Sequence, residues 1–390
     1  MQVGQPAGDG RDERALVVVM SAGRILGGAE RSMLSFAAPL PERGFDVLLT
    51  CPEGALARRA REIGVRVETR YWWTVSGISG TADGVKSFSA TRTLLSLVQT
   101  AMNAVQLAVL ARRHRADILL SNSLPSHLVV AAAGLMARVP TAWYLRDIVD
   151  VGRGRRVLAW GARPVGVLLS ISRAVSATYD HHRIVEVPQP VATPPSSPVR
   201  PDGAGDEVVV GYLGRLDPRK GVEDVCEVAG RVSAEFLIAG EGLLASAEHV
   251  KGLHDLAEAR APGRVTFLGA VPDPWTLLER VDVLLVPSRR EPWGRVAAEA
   301  QLMGRPVVAA RAGGLPEIVD DGVDGLLYEP GNIDELERCL RRLIDDPALR
   351  RRFGQAGRSK AANYDPEVNA AHVAAALRLL VPAKSERTST

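Results

Sequence analysis

The sequence has few cysteines, and they form no pattern. Cys51, Cys226 and Cys339 are odd in number, far apart, and each lies in or beside an apolar run. A disulfide framework needs paired cysteines, and a zinc site needs close ligand spacing, so both are excluded. We expect three buried thiols in a reducing compartment.

Long apolar runs and a secretory leader are also missing from the sequence. The first fourteen residues are polar, and apolar runs such as residues 128–137 are far shorter than a bilayer-spanning segment requires. We therefore expect a cytoplasmic protein that crosses no membrane, with contact at the inner face of the membrane left open.

The motifs of several enzyme classes are absent as well. The sequence contains no HExxH, no Cys/His zinc spacing, no GxSxG and no Walker loop. The seven histidines are scattered, and no metal site is expected. His181 and His182 stand at an expected helix end, where they are interpreted as cap residues, and His127 opens a helix after a strand.

The net charge of +3 conceals an uneven distribution. Residues 1–188 hold 23 basic and 15 acidic residues, and the remainder holds 25 basic and 30 acidic residues. Solvated helix faces explain such a surplus most simply. The alternative is that the first half approaches an anionic partner, such as a membrane surface or a phosphorylated acceptor. No nucleic-acid-binding motif accompanies the basic residues, so nucleic acid is not expected.

Short apolar runs alternate with helical patterns in two arrays. A Pro-, Ser- and Gly-rich segment, residues 189–206, separates them and is interpreted as a linker. This organisation predicts two doubly wound, Rossmann-like α/β domains, residues 14–188 and 207–364, facing each other across a cleft. Residues 1–13 and 383–390 are expected to be disordered. A long helix is predicted over about 89–115, and strands are predicted at 15–20, 47–49, 118–120, 141–145, 167–171, 208–213, 234–239, 265–268, 281–286 and 306–310.

The first motif with chemistry follows the strand at 208–213. Gly214 and Arg215 begin a loop that ends with Lys220 and Gly221. Arginine as a bidentate donor and lysine as a point charge suit a diphosphate. Both would stabilise the negative charge that develops as the diphosphate departs. Alone, the motif is more typical of an ordinary charged loop.

The second motif is EPWGRVAAE, from Glu291 to Glu299. Pro292 suits a position near a helix N-terminus, where free backbone N–H groups bind anions. The Glu299 carboxylate could accept hydrogen bonds from a diol such as ribose, and Glu291 from sugar hydroxyls. The alternative is a solvent-exposed pair of glutamates, which the small and apolar neighbours disfavour.

Two further Gly-rich turns follow strands. Gly27-Gly28-Ala29-Glu30 lacks the GxGxxG spacing of a dinucleotide-binding loop, which weakens a dehydrogenase interpretation. Glycines there would let the backbone approach a ligand, although a tight structural turn explains them equally well. Gly313-Gly314 precedes Glu317 and is weak evidence alone.

Together, these motifs make residues 211–331 resemble the donor domain of retaining glycosyltransferases of the GT-B architecture, family 4. The first half is similar more loosely, through the turn at Gly27 and Gly28. The matching features also include Gly240-Glu241-Gly242, Phe267-Leu268-Gly269, Pro287-Ser288, Gly304 with Pro306-Val307, and Gly322 with Gly325.

The resemblance implies roles for individual residues. Arg215 and Lys220 would hold the diphosphate and act in catalysis together with Glu291, and Glu299 would bind the ribose. The C-terminal helix, about residues 365–382, would cross back onto the first domain. The other implied donor contacts are Gly27 and Gly28 with Gly214 at the diphosphate, Leu268 and Gly269 at the base, Trp293 and Gly294 at the sugar, and the amides of Arg295 and Val296 at phosphate.

The resemblance also implies a reaction. A sugar would pass from a nucleotide-diphosphate sugar to an acceptor hydroxyl with retention of configuration, without metal and without any cofactor besides the co-substrate. Two departures stand out: the family's first-domain histidine is missing near residues 121–123 and 143–147, and Trp293 stands where many relatives have Phe.

Two alternatives remain open: a nucleotide-sugar epimerase on the same architecture, and a non-catalytic nucleotide-sugar-binding subunit. The aromatic cluster Tyr71-Trp72-Trp73 is interpreted either as an acceptor platform or as a core or dimer contact.

Overall fold

The computed structural model describes residues 14–23, 26–73, 90–149, 152–192, 194, 207–242 and 246–381. The chain divides into two compact units: unit 1 is Met1–Pro190 with Pro366–Thr390, and unit 2 is Val191–Asp365. The termini expected to be disordered, and most of the expected linker, lie outside the described residues.

Unit 1 contains a seven-stranded parallel sheet in the order β3-β2-β1-β4-β5-β6-β7. Its central strands are buried on both faces, as parallel strands covered by helices must be. The strands are β1 Ala15–Met20, β2 Phe45–Cys51, β3 Arg66–Thr69, β4 Ile118–Ser121, β5 Thr141–Leu145, β6 Val167–Ser170 and β7 Ile184–Glu186. The helices are α1 Gly28–Ala37, α2 Ala55–Glu62, α3 Ala90–Arg113, α4 Leu124–Ala137, α5 Arg153–Ala162 and α6 Arg173–Ser176.

Unit 2 contains a six-stranded parallel sheet in the order β10-β9-β8-β11-β12-β13. The strands are β8 Val209–Leu213, β9 Glu235–Ala239, β10 Val265–Gly269, β11 Val283–Val286, β12 Val307–Ala310 and β13 Gly325–Tyr328. The helices are α7 Val222–Ala229, α8 Ala247–Arg260, α9 Trp275–Leu278, α10 Arg295–Leu302, α11 Leu315–Ile318, α12 Ile333–Asp345 and α13 Pro347–Ala361. The predicted doubly wound α/β class is confirmed in each unit.

All ten predicted strands are present, with ends shifted by a few residues at most. Three strands were not predicted: β3, β7 and β13. Each lies at an edge of its sheet and has three or four residues. β3 and β7 are partly exposed and contain charged residues, and β13 has only a three-residue apolar run after Gly325, so none of them gives an extended apolar run to detect.

The last described helix, α14, spans Pro366–Arg378 and packs on α1 and β6 of unit 1. Asn369, which is buried, donates to the Tyr144 hydroxyl at 3.4 Å. Arg43 pairs with Glu367 at 2.5 Å. Helix α14 is thus part of the core of unit 1, although unit 2 precedes it in the chain.

Helix α3 differs from what the sequence led us to expect. Residues Leu94–His114 have a mean hydropathy of 1.6 over 21 residues, which by length and composition suffices to cross a bilayer, and 33% of that stretch is buried. The expectation that no apolar stretch is long enough was therefore wrong for α3. Within unit 1, α3 packs along α4, and its buried residues include Ala104, Leu107 and Ala111.

Candidate active site

The candidate donor site in unit 2 is built from loops at the carboxyl ends of neighbouring strands. The Gly214 N–H donates to the Ala239 carbonyl at 3.0 Å, and the Gly240 N–H donates to the Gly269 carbonyl at 2.8 Å. Loops after β8, β9 and β10 are thereby joined. In open parallel sheets this edge is where ligands bind, because helix N-termini and flexible loops meet there.

Two of the predicted site residues meet in an ion pair. Lys220 Nζ lies 2.6 Å from Glu291 Oε2, and both side chains are largely buried. The Ser288 hydroxyl donates to the same oxygen at 3.3 Å. The structure thus brings together the GR…K motif after β8 and the EPWG motif after β11, whose strands are neighbours in the sheet.

Backbone contacts hold these two loops against each other. The Arg289 N–H donates to the Arg219 carbonyl at 2.8 Å. Gly221 has φ +65, and a Cβ there would lie 2.1 Å from the Pro287 carbonyl oxygen. A side chain at Gly221 would therefore force apart the loops that carry Lys220 and Glu291.

Asp217 organises the cationic loop, a role that sequence reasoning did not assign to it. Its carboxylate accepts from the Arg219 Nε at 3.0 Å, from its Nη2 at 2.8 Å and from its backbone N–H at 3.0 Å. Arg215 Nη2 lies 3.6 Å from the same carboxylate. Hydrogen bonding by Arg219 lowers the Asp217 pKa to about 2, so the carboxylate stays ionised. Asp217 followed by Pro218 is a helix-start signal, and the sequence could have revealed this role.

Arg215 and Lys220 differ in exposure. The Arg215 side chain is 41% exposed and the Lys220 side chain is 22% exposed. Arg219, on the same loop, is engaged by Asp217 in a bidentate ion pair. The loop therefore directs two cations toward the carboxyl edge of the sheet and uses a third to hold its own shape.

The turn at Gly313 and Gly314 supports the Glu291 segment. The Gly314 N–H donates to the Glu291 carbonyl at 2.8 Å. Gly313 has φ +56, and a Cβ there would lie 1.9 Å from the same carbonyl oxygen. This motif, weak in the sequence, is explained by close backbone packing beneath Glu291.

Helix α10 begins near Pro292, as expected. Gly294 is its N-cap and Arg295 its first residue, so Pro292 lies outside the helix. The amides of Arg295 and Val296 are thus in the first turn, at the positive end of the helix dipole. Glu299 lies in the second turn, is buried, and pairs with Arg295 at 2.9 Å.

Trp293 is buried at 5% exposure and packs edge-on against Tyr364, with ring centroids 5.3 Å apart. Its backbone, rather than its ring, borders the loop of Glu291. At the end of β10, Leu268 is half-buried and Gly269 is exposed. The predicted donor residues of unit 2 therefore lie on loops, on the end of β10, or in the first two turns of α10, at the carboxyl edge of the sheet.

In unit 1, Gly27 is the N-cap of α1 and Gly28 its first residue. Glu30, in the first turn of α1, folds back over the turn: a Cβ at Gly27 would lie 2.9 Å from its Oε2, and a Cβ at Gly23 would lie 3.0 Å from its Oε1. Gly23 and Gly27 are thus close to the Glu30 carboxylate at the carboxyl end of β1.

A buried polar cluster lies near this turn, and sequence reasoning missed it. Arg146, after β5, donates to Asn122 Oδ1 at 3.1 Å, to Ser32 Oγ at 3.0 Å and to Gln189 Oε1 at 3.0 Å. Its guanidinium lies 4.0 Å from the centroid of the Tyr144 ring. The only sequence signal was an arginine directly after an apolar strand.

His127 is an interior residue. It is buried, its Nδ1 lies 2.6 Å from Ser121 Oγ, and its ring stacks on Trp143 with centroids 4.8 Å apart. Burial, with a smaller contribution from the charge of Arg146, lowers the His127 pKa to about 3, so the ring is neutral near pH 7.

Other histidine and cysteine predictions have separate outcomes. His181 and His182 were interpreted as helix caps, which is wrong: α6 ends at Ser176, and His181 bonds the Val165 carbonyl at 3.0 Å in the loop before β7. The three cysteines are free and buried, as predicted. Burial raises the pKa of Cys51 and Cys226 to about 12 and that of Cys339 to about 11.

The aromatic cluster divides between the core and the surface. Trp72 is buried, whereas Tyr71 is 58% and Trp73 is 38% exposed. Among the residues that the structure describes, no three His, Cys, Asp or Glu side chains are grouped to hold a metal ion.

Comparisons with known proteins match both halves of the chain. Residues 199–360 match the family model described as Glycosyl transferases group 1, and residues 27–185 match a Glycosyl transferase 4-like domain. The lipopolysaccharide core biosynthesis glycosyltransferase LpsE of Rhizobium meliloti is 26% identical over 339 residues, which is 85% of this chain and 89% of that protein. The 2-deoxystreptamine glucosyltransferase of Streptomyces kanamyceticus is 37% identical over 148 residues, 36% of this chain and 37% of that protein.

Solved structures agree in fold. HepE of Anabaena, in complex with UDP and glucose, is 25% identical, with a TM-score of 0.75 over 93% of this chain and 98% of that chain. The lipopolysaccharide outer core galactosyltransferase WaaB in its apo form, at 17% identity, has a TM-score of 0.73 over 93% of this chain and 99% of that chain. The protein is a glycosyltransferase with the GT-B fold, and the chain belongs to the group 1 glycosyltransferases, family 4.

Proposed function

We propose that this protein transfers a hexosyl or related sugar from a nucleotide-diphosphate sugar to an acceptor hydroxyl, with retention of anomeric configuration and without a metal ion. The observation that carries the proposal is the Lys220–Glu291 ion pair of 2.6 Å beside Arg215 at the carboxyl edge of unit 2. Cation and carboxylate side by side suit a ligand with a diphosphate next to a sugar.

The diphosphate would bind Arg215 and Lys220, with Gly214 beside them and the first amides of α10, at Arg295 and Val296, completing the anion site. Gly27 and Gly28 are also proposed to bind the diphosphate. These cations would stabilise the charge of the departing diphosphate, which is the reason that a metal is not required.

The sugar and the nucleoside would be recognised by carboxylates and backbone. The described bonds to Glu291 both use Oε2, so Oε1 would accept from a sugar hydroxyl, next to the backbone of Trp293 and Gly294. Glu299 would accept from the ribose hydroxyls while Arg295 holds its other side. Leu268 and Gly269 would meet the base.

We propose a uridine donor. The HepE structure with UDP and glucose aligns with 93% of this chain at 25% identity, which supports a UDP-sugar. In the proposed step the acceptor oxygen bonds to the anomeric carbon on the face from which the diphosphate leaves. The acceptor proton passes to a departing phosphate oxygen, and no cofactor takes part. No enzyme carboxylate is required as a nucleophile, in contrast to retaining hydrolases.

The acceptor is proposed to be anionic or lipid-linked, with the enzyme peripheral at the inner face of the membrane. The surplus of basic residues in the first half of the chain supports this. Glycan or glycoconjugate biosynthesis, as in the named function of the Rhizobium relative, fits such an acceptor.

Donor binding tests the proposal first. Thermal unfolding is measured with UDP-, GDP-, ADP- and TDP-glucose, and the UDP-sugar is expected to raise the midpoint most, because binding to the folded state stabilises it by mass action. An equal or absent shift for all four would contradict the donor assignment.

The reaction itself is tested by NMR of the donor incubated with enzyme and a chelator. Transfer or slow hydrolysis that releases the α-configured sugar from an α-linked donor supports retention without metal. Conversion of the donor to an epimer, with no release of nucleotide, would support the epimerase alternative, and no turnover with any acceptor tested would support a binding subunit.

A further inference from the structure

Helix α3 presents a row of large apolar side chains outward. Its exposed residues recur at helical spacing along one side, while other residues of α3 are buried and the helix packs on α4. We call this row the α3 face: Leu94, Leu95, Val98, Met102, Val105 and Val109, with exposures from 42% to 63%. Contiguous exposed apolar surface of this kind marks an interaction site.

Charge beside the C-terminal end of α3 is predominantly positive. The Glu68 carboxylate also lies there, 4.0 Å from Arg113, and it is bonded to His114 and Arg70. The sequence from 94 to 116 contains Arg112, Arg113 and Arg115 and no Asp or Glu. The exposed Arg112 donates to the Met136 carbonyl at the end of α4, where Leu135 and Met136 are also exposed. The α3 face therefore continues onto the end of α4, with arginines beside it.

Aromatic residues lie next to the middle of α3. The side chain of Asn103, which is buried, accepts from the Trp73 N–H at 3.0 Å and donates to the Trp73 carbonyl at 2.9 Å. Tyr71 and Trp73 are exposed and pack edge-on with centroids 5.4 Å apart. Aromatic rings with an apolar body and a polar tip favour the boundary between lipid and water.

We propose that the α3 face docks on an anionic lipid surface, with α3 lying in the plane of the interface. An interfacial helix has apolar side chains on one side, as α3 does. It also has basic residues and aromatic side chains nearby, and α3 has arginines at its end and exposed Trp and Tyr beside it. Asn103 and the buried side of α3 hold it to unit 1, so the helix lies on the bilayer and does not cross it.

A second copy of this chain fits the α3 face less well. It would bring the same arginines, Arg112 and Arg113 of α3 and Arg115 after it, while the carboxylate of Glu68 beside them is already bonded to Arg70 and His114. Lipid phosphates supply the missing negative charge, and acyl chains cover the apolar row. Charge complementarity therefore selects the lipid surface.

Docking through α3 also orients unit 1. Because α3 follows β3 and precedes β4 in a parallel sheet, its N-terminal end lies at the carboxyl edge, where α1 begins at Gly28. With α3 in the plane of the interface, the part of that edge next to α3 would lie at the level of the headgroups, where the sugar of a lipid-linked acceptor would lie. This part of the inference rests on the proposed function for the acceptor, whereas vesicle binding itself does not.

Vesicle sedimentation of the full chain tests the inference at low salt. Vesicles of phosphatidylcholine are compared with vesicles that also contain phosphatidylglycerol. Wild type is expected to bind the anionic vesicles, and Val98→Glu/Val105→Glu is expected to bind at least roughly tenfold more weakly because carboxylates enter the interface. Arg112→Gln/Arg113→Gln should weaken binding by about tenfold or more, on the anionic vesicles alone.

A control variant carries the same charge change elsewhere. Val323→Glu/Val368→Glu replaces two exposed valines outside α3 and is expected to bind vesicles like wild type. Wild type left in solution with both vesicle types would overturn the proposal, and so would full binding by Val98→Glu/Val105→Glu. A wild-type dimer that this variant converts to a monomer, without vesicle binding, would assign the α3 face to a second copy instead.

The same preparations are tested for a thermal shift with the UDP-sugar. A donor shift without vesicle binding overturns only the membrane inference. Vesicle binding without a donor shift leaves the α3 face in place and contradicts only the proposed donor.

Discussion

Lys220 Nζ lies 2.6 Å from Glu291 Oε2, which joins two loops whose residues are 71 positions apart in the chain. Lys220 follows β8 and Glu291 follows β11, and these strands are neighbours in the sheet. The cation proposed for the diphosphate and the carboxylate proposed for the sugar are therefore a single paired unit, and a change at one alters the charge environment of the other.

The first prediction concerns this pair. Lys220→Met is expected to slow release of UDP from the donor by about 100-fold or more, because the departing charge loses a donor. It should also destabilise the fold by about 1–3 kcal/mol, because Glu291 is left buried without its cation. Rates are measured by chromatography of the released nucleotide and stability by urea unfolding.

A double variant separates the two effects. Lys220→Met/Glu291→Gln is expected to recover most of the lost stability but none of the rate, because the buried charge is removed while the cation stays absent. Lys251→Met, which removes an exposed lysine paired with Asp255, is the control and should change neither property. Near-normal release by Lys220→Met would contradict the role of Lys220.

A second prediction tests ribose recognition by Glu299. Glu299→Gln is expected to weaken donor binding by roughly tenfold, since a charged acceptor of hydrogen bonds is worth about 1.5 kcal/mol or more. Donor affinity is measured by calorimetry. Glu337→Gln breaks a comparable i,i+4 pair with Arg341 on α12 and should leave affinity unchanged. An unaffected affinity in Glu299→Gln would remove Glu299 from the donor site.

The third prediction concerns the glycine beneath Glu291. Gly313→Ala should destabilise unit 2 by about 1–3 kcal/mol and weaken donor binding, because the Cβ meets the Glu291 carbonyl and strains the backbone. Gly322→Ala is the matched control: its φ of +77 is also left-handed, but a Cβ there meets nothing within 4 Å. Equal losses of stability and donor affinity in the two variants would show that the close approach at Gly313 has no consequence.

The fourth prediction follows from the buried His127. Its pKa is about 3 in the folded state against an ordinary value of 6.5. The unfolded chain therefore binds a proton first as pH falls, and stability from this group is complete above about pH 6.5 and is lost progressively toward pH 3. The unfolding free energy of His127→Gln should depend less on pH between 6.5 and 4 than that of wild type. Parallel pH profiles for the two proteins would contradict a buried neutral His127.

Much of the fold was accessible from local pattern. The ten strands predicted from apolar runs are all present, because buried parallel strands require uninterrupted apolar residues. The strands β3 and β7 escaped prediction because they are partly exposed and contain charged residues, and β13 because its apolar run after Gly325 has only three residues. Pro292 lies near the start of α10, as expected, but a proline there does not specify which residue is the N-cap, and Gly294 takes that position.

The candidate site was accessible only as separate motifs. The order and spacing of the motifs that contain Arg215, Lys220, Glu291 and Glu299 indicated the family. Each of these motifs follows a strand. The ion pair between Asp217 and Arg219 had a local signal, because Asp followed by Pro is typical of a helix start. The cluster around Arg146 had almost none, because its partners come from α1, from the end of β4 and from residue 189.

The sequence by itself determined the two α/β arrays, the strands at their centres and the motifs of a group 1 glycosyltransferase, because periodicity, glycine and charge act over a few residues. Only the tertiary structure decided that Lys220 pairs with Glu291, that His127 is interior and that the apolar row of α3 faces outward. These depend on strand order and on which side of a helix is covered, and both are set by contacts between residues far apart in the chain.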